Sequence, residues 1–527
     1  MKKHFWLLGF LTLSFLSNAQ NFTEQSLKFN KALSFIDMFY VDTINQKQLV
    51  EEAIVSMLKD LDPHSVYISP EEVREMNEPL QGNFEGVGIQ FSIQEDTIIV
   101  VSPISGGPSE KLGIRPGDRI VKINDKVMAG IGVKNKDVFD KLRGAKGTKV
   151  KMSIFRKGEK ELIEYEVTRD KIPIFSIDAA YMIDNEIGYI KLSRFSATSM
   201  DEFTKALNTL KTKNVKSLIL DLRNNGGGYL NIAIDLADQF LNDNKMIVFT
   251  EGRNSPRADY KSTKKGDFEN GKLVVLVDEG SASASEIVSG AIQDWDRGII
   301  LGRRSFGKGL VQRPFTFPDN SMIRLTIARY YTPTGRSIQK PYEDAKEYSK
   351  DLINRYNKGE LSNKDSIHFP ESLKYKTLLN QRTVYGGGGI MPDLFIPLDT
   401  TKFTDYYRNL LRKGTINKFT FNYIDKNRAS LTSQYTDFKV YNKTFEVSDK
   451  MIEELNILAE KDKVTVKPEE LEKSKGDIKL QIKALIARDL WDTSEYFEVI
   501  NPSYDDFNKA VELIKDDKAY KKLISKK

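Results

Sequence analysis

Between residues 172 and 397 short apolar runs alternate with stretches of helical spacing, and this alternation limits the fold more than any other feature of the chain. The runs from Gly188 to Leu192, Ser217 to Leu222, Leu273 to Val277 and Gly298 to Gly302 read as buried strands. Met200–Leu210, Asn231–Leu241 and Ala284–Trp295 carry the helical period. Strands that alternate with helices predict an α/β layer structure for residues 171–397. At 527 residues the chain is long enough for about three or four domains, and its texture changes accordingly. Over residues 20–81 the period is helical, with Leu27, Ala32, Leu33, Ile36 and Phe39, then Leu49, Ala53, Ile54 and Leu58. The Asp62-Pro63 step ends that second run, because proline disfavours a helical residue before it. Residues 82–170 turn to short strands, Ile98–Val101, Arg119–Ile123 and Lys149–Ile154, with one helix expected over Lys136–Leu142. Residues 398–527 are rich in Lys and Glu and mainly helical; Asp449 is expected to cap a helix over Lys450–Ala459, and Pro468 to open the next one. The fold class is therefore multidomain α/β: an N-terminal helical domain, a β-domain, an α/β core and a C-terminal mainly helical domain.

Residues 1–19 stand apart. Lys2 and Lys3 precede an apolar run from Phe5 to Leu16, and Ser17-Asn18-Ala19 follows. This pattern predicts a secretory signal peptide cleaved after Ala19, hence an exported protein of the cell envelope, in the periplasm. An uncleaved anchor is the rival, but the run falls short of the roughly 20 residues that cross a bilayer. The chain has no cysteine, so neither a lipid-bearing cysteine nor a disulfide framework is available. The net charge of +6 includes Lys2 and Lys3 and becomes +4 without them. Its basic stretches are interleaved with acidic residues, which gives no support to nucleic-acid binding.

Elimination narrows the chemistry. Without cysteine, thiol catalysis is excluded. The histidines are His4, His64 and His368, too few for a histidine-rich zinc site. A hydrolase built from this chain would not draw its base from histidine, because His64 lies in a proline turn and reads as structural.

Three glycine-bearing segments remain. Gly280-Ser-Ala-Ser-Ala-Ser-Glu286 joins a buried strand to a helix from about Ala284. A serine there faces a helix N-terminus, whose free N–H groups and dipole stabilise negative charge; the plainer reading is a helix cap by Ser281, Ser283 or Ser285. Asp221-Leu-Arg-Asn-Asn-Gly-Gly-Gly228 follows the strand at Leu218–Leu220, and its glycines let backbone approach a ligand or simply make a tight turn. Gly302-Arg-Arg-Ser-Phe-Gly-Lys308-Gly309 nearly matches a phosphate-binding loop, but Gly309 stands where a hydroxyl should hold Mg²⁺. The other reading is a desolvated Lys308 acting as a neutral base, with Gln312 at i+4 on a helical turn to orient it.

Taken in order with Tyr40-Val-Asp, Leu61–Tyr67, Gly82–Ile89, Gly113–Ile120, Tyr331–Gln339 and Gly386–Asp393, these segments resemble the carboxyl-terminal processing peptidases, or tail-specific proteases. The resemblance runs from about Phe39 to Pro397. It implies a crotonase-like peptidase core in which Ser283 is the nucleophile, Lys308 the base and Gln312 its orienting partner. It assigns the oxyanion to the N–H groups of Ala284 and of a glycine best matched by Gly227. No metal and no organic cofactor is implied. Residues 82–170 resemble a PDZ domain, with Gly86, Val87, Gly88 and Ile89 as the carboxylate-binding loop and Ile89, Phe91, Val138 and Leu142 as pocket or plain core. The expected function is serine endopeptidase action on proteins with apolar or unstructured C-termini, the alternative being an inactive PDZ-bearing binding protein. An adaptor or regulator and a homo-oligomer are compatible partners. Beyond Pro397 no motif is recognised.

Overall fold

The computed structural model describes residues 23–263, 266–399, 401 and 403–525; the expected signal segment lies outside them. The chain divides into two compact units. One comprises the N-terminal residues to Ser69 together with Pro314–Leu325. Its described part holds a helix over residues 23–39, the helix Gln46–Lys59, and the strand Val66–Ile68 paired antiparallel with Met322–Arg324. The turn between the second helix and the strand is made by Asp62, whose carboxylate accepts from the N–H groups of His64 and Ser65 at 2.8 and 2.9 Å. His64 is thus a turn residue.

The second unit, Pro70–Arg313 with Thr326–Lys527, carries everything else. At its centre is a six-stranded sheet in the order Ile177–Met182, Ile187–Leu192, Ser217–Asp221, Lys272–Val277, Ile299–Gly302 and Leu394–Phe395. The first pair is antiparallel and the rest are parallel. Parallel strands covered on both faces need apolar residues on both faces, which is why these runs are continuous rather than alternating. On one face Leu218, Leu220 and Val275 pack with the helices Ser199–Thr212, Leu230–Asp238 and Ala284–Asp294. On the other face Tyr189, Ile219, Val274, Leu276 and Leu301 pack against Phe507, Leu513 and Tyr520.

Those last three residues belong to the helices Asp505–Lys515 and Asp517–Ile524. The end of the C-terminal helical region therefore forms the second layer of the peptidase sheet. The remaining tail helices, from Asp405–Arg412 to Thr493–Ile500, have their own aromatic-rich core around Tyr406, Tyr441 and Leu455. Pro468 does open the helix Pro468–Leu490, but the preceding helix is Asp449–Lys461 and is capped by Ser448 rather than Asp449.

The β-domain is a five-strand antiparallel path, Ile89–Gln94, Thr97–Pro103, Arg119–Ile123, Lys149–Phe155 and Ile163–Thr168, with a short sixth strand paired to Arg119–Ile123. The helix Asn135–Leu142 closes its core through Val138 and Leu142.

A buried ionic network joins the last helices to the sheet. Arg223 donates to both oxygens of Asp221 and, at 2.6 Å, to Asp506. Tyr189 Oη donates to Asp221 Oδ2 at 2.6 Å. Burial alone would raise the Asp221 carboxyl, but the Arg223 guanidinium and the Lys191 ammonium hold it well below the usual carboxylate range. A carboxyl so depressed contributes stability at pH values above the ordinary range and loses it as pH falls through the folded value. Removing the cation strands two buried carboxylates. Arg223→Met is expected to cost about 3–5 kcal/mol, read as a lowered urea midpoint with early proteolysis of the helices after residue 504.

Candidate active site

The three glycine-bearing segments leave the sheet at the carboxyl ends of three adjacent parallel strands, Ser217–Asp221, Lys272–Val277 and Ile299–Gly302. That end of an open parallel sheet is where α/β proteins gather their functional groups.

The first two segments are zipped together. Ser281 Oγ donates to Leu222 O and Ser285 Oγ to Asn225 O, each at 2.8 Å, and the Ala282 N–H donates to Asn225 O at 3.0 Å. Ser281 and Ser285 are fully buried, whereas Ser283 between them is only half-buried. Of the three serines, two hold the turn and Ser283 is the accessible one. It sits at the N-cap of Ala284–Asp294 with φ 55° and ψ −111°, a conformation that side chains other than glycine rarely adopt. The Ala284 N–H, at the first position of that helix, has no hydrogen-bond partner among the described residues.

Gly227 lies directly against this serine. A Cβ at Gly227 would sit 2.9 Å from Ser283 Cβ and 3.0 Å from Ala284 N, and its φ is +99°. Its own N–H, however, donates to Asn225 Oδ1 at 2.9 Å, so in this conformation that donor is engaged and does not serve the oxyanion role expected of it. Gly228 is pressed against the backbone of Phe195.

The third segment reaches the site through Glu286, a residue for which the motif alone suggested no role. This fully buried carboxylate accepts four hydrogen bonds. Oε2 takes the N–H of Ser283 at 2.8 Å and of Lys308 at 2.9 Å. Oε1 takes the N–H of Gly307 at 2.7 Å and the hydroxyl of Ser305 at 2.6 Å. Burial pushes its carboxyl up, and these four donors oppose the shift. Tyr330, also buried, adds a second clasp: its hydroxyl donates to Ser283 O at 3.1 Å and to Lys308 O. Burial raises the Tyr330 phenol well above its ordinary value, so it stays a donor. The backbones of Ser283 and Lys308 are thus held to the same two side chains.

Lys308 lies half-buried in an extended stretch, and the chain continues into the strand Leu310–Thr316. No helix follows it, which removes the phosphate-loop architecture as well as its chemistry. It also corrects the argument for Gln312. That residue is on a β-strand, where four positions span roughly 13 Å, not one helical turn, and its Nε2 donates to Thr326 Oγ1 at 3.3 Å. Gln339 instead contacts the lysine segment, accepting the Gly309 N–H at 2.8 Å.

In the β-domain, Gly86, Val87 and Gly88 form the buried approach to the edge strand Ile89–Gln94, and Gly88 has φ +75°. Val87 O accepts from Ser109, and Gly88 O from the Ile104 N–H at 2.9 Å. Because N–H and C=O of a trans peptide point in opposite directions, the N–H groups of Gly88 and Ile89 face away from these partners. Ile89, Val138 and Leu142 are core residues, with Val138 wholly buried. Phe139 on the same helix is 43% exposed, and its ring packs 5.4 Å from that of Phe91.

Comparison with known proteins agrees with this anatomy. Residues 186–344 match the model of peptidase family S41 and residues 86–167 that of the PDZ domain. Residues 13–72 match the activating protease CtpB N-terminal domain, and 406–492 a family of unknown function. The chain is 38% identical over 328 residues to a carboxy-terminal-processing protease of Bartonella bacilliformis, covering 61% of this chain and 74% of that one. It is 37% identical over 314 residues to the carboxy-terminal processing protease CtpA of Bacillus subtilis, covering 59% and 66%. For CtpB of the same organism the identity is 36% over 319 residues, covering 59% and 65%. The chain therefore belongs to peptidase family S41, among the carboxy-terminal processing proteases, which are serine peptidases, and it carries the PDZ domain within the same fold.

Proposed function

We propose that this chain is an exported endopeptidase of the cell envelope, acting in the periplasm through a Ser283/Lys308 pair on proteins whose apolar or unstructured C-termini its PDZ domain captures. The observation that carries the reading is the shared anchorage of Ser283 and Lys308 on Glu286 and Tyr330 beside a helix N-terminus. Neutral Lys308 takes the proton of Ser283 Oγ as that oxygen bonds to the scissile carbonyl carbon. The tetrahedral oxyanion accepts from the Ala284 N–H, and from Gly227 once its N–H leaves Asn225. Protonated Lys308 then gives its proton to the leaving amine, and water releases the acyl-enzyme. Gln312 lies on the strand that follows Lys308, its Nε2 donating to Thr326 Oγ1, and only the family resemblance gives it the role of orienting Lys308. Captured chains enter by adding a strand to the edge Ile89–Gln94, with the terminal carboxylate on the N–H groups of Gly88 and Ile89.

Cleavage of a largely unfolded reporter with an apolar tail tests this. The wild-type mature chain is expected to cut it. Ser283→Ala should lose about a thousandfold or more in kcat. Binding without cutting by both proteins would favour the inactive binding-protein reading, and equal cutting by both would displace Ser283 as nucleophile.

Glu286→Gln gives a sharper check of the anchorage. Each carboxylate oxygen accepts two donors, so an amide in either orientation turns its NH₂ against two of them. Stranding such buried donors costs about 1–3 kcal/mol. The variant should lose roughly tenfold to a hundredfold in kcat, with KM for the reporter little changed; an unaltered kcat would remove Glu286 from the account.

A further inference from the structure

The strand Ile89–Gln94 is an edge of its sheet, paired among the described residues only with Thr97–Pro103. An edge strand presents unpaired N–H and C=O groups to whatever lies beside it. Here one side is the helix Asn135–Leu142. The other is a cavity of about 560 Å³, lined by Gln90–Glu95 and, from the C-terminal helices, by Asn417, Thr420, Phe421 and Arg488. The two domains are fastened at this place: Arg119 pairs with Asp425 at 3.3 Å, and a Cβ on Gly117 would lie 2.8 Å from the Asp425 carboxylate.

Two features of the cavity point to a ligand. Thr420 is 3% exposed, and its Oγ1 has no hydrogen-bond partner, although a buried hydroxyl left unpaired is costly. The strand itself alternates apolar and polar side chains. Phe91 and Ile93 pack onto the PDZ core, while Gln90, Ser92 and Gln94 alternate with them along the strand that lines the cavity.

A polypeptide that adds to this edge must follow the same period of two. Half of its side chains face the groove beside Phe139, and the other half face the C-terminal helices. We propose that the C-terminal helical domain is the second wall of the peptide site: it reads the alternate, polar side chains of an extended substrate tail, with Thr420 Oγ1 as a hydrogen-bonding partner. This rests on the PDZ domain's capture of tails, proposed above, and extends it from the terminal carboxylate to the residues before it. It also gives the tail helices a role in choosing substrates.

Binding of fluorescein-labelled peptides to the full mature chain carrying Ser283→Ala, followed by anisotropy, tests the inference. Each peptide is long enough to pair with the whole strand and ends in an apolar residue with a free carboxylate. One version carries Ser and Gln at the alternate positions that face away from the groove, and the other carries Gly there. The polar version should bind roughly three- to tenfold more tightly. Thr420→Val, which keeps the shape, and Asn417→Trp, which fills the cavity from an exposed position, should each erase that difference and leave the Gly version unchanged; the latter also reports that the variants are folded. A difference that persists in both variants overturns the second wall and leaves tail capture standing. Equal binding of amidated and free-carboxylate peptides, or none at all, overturns capture and the second wall together.

Discussion

The Glu286 carboxylate accepts hydrogen bonds from two stretches of chain that leave different strands, and the proposed site exists only where those stretches meet. An ionised carboxylate removed from water is costly unless each of its lone pairs is satisfied. Glu286 is fully buried, and Ser283, Ser305, Gly307 and Lys308 supply four donors. Three of the four are backbone N–H groups, so the contact fixes main-chain position and not merely side-chain rotamers. Moving the lysine segment away would strand the carboxylate, and moving the serine would do the same. Tyr330 adds a clasp on the carbonyl side of both residues. Donors and acceptors of the two peptide planes are thus taken up by two buried side chains.

This clasp depends in turn on the layer beneath it. The glycine-rich turn begins at Leu222, immediately after Asp221, and Asp221 is held by Arg223, which is held by Asp506. The last helices of the chain thereby brace the turn that packs against Ser283, while Phe507 and Tyr520 cover the sheet from which the turn springs. Sheet, turn and tail form one mechanical unit, although the tail lies almost 300 residues downstream of Asp221. A parallel sheet tolerates no bare face, so the tail helices are as necessary to the sheet as the helices on its opposite side.

What could be read from sequence follows from the range of the forces involved. The buried strands were legible because parallel strands are apolar on both faces over a few contiguous residues, and the helices because their period is local. Ser283 and Lys308 were legible through the motifs around them. Glu286 was present in the first of those motifs, but three of its four partners lie 19 to 22 residues on, and no local pattern reports those contacts. Gln312 was read through a helical spacing that the chain does not adopt. Val311 and the pairing of Leu310–Thr316 with Met322–Tyr331 favour a strand there, and that pairing too is made at a distance. The amphipathic helices after residue 504 announced that they bury a face, but not which surface they bury it on.

The conformation of Ser283 shows how the fold resolves two opposed demands. A residue at φ 55° would ordinarily be glycine, yet glycine carries no hydroxyl. The strained serine is held because both its peptide groups are engaged: its N–H by Glu286, and its C=O by Tyr330 and the N–H groups of Glu286 and Ile287. The absent side chain is supplied across the site by Gly227, where any Cβ would collide with Ser283 and with Ala284 N. Freedom from a side chain is thus placed on the neighbouring segment, and the hydroxyl is kept on the strained one. The space left between the two is bounded by a serine, a helix N-terminus and bare backbone. The strain at Ser283 is therefore inseparable from the glycine that faces it.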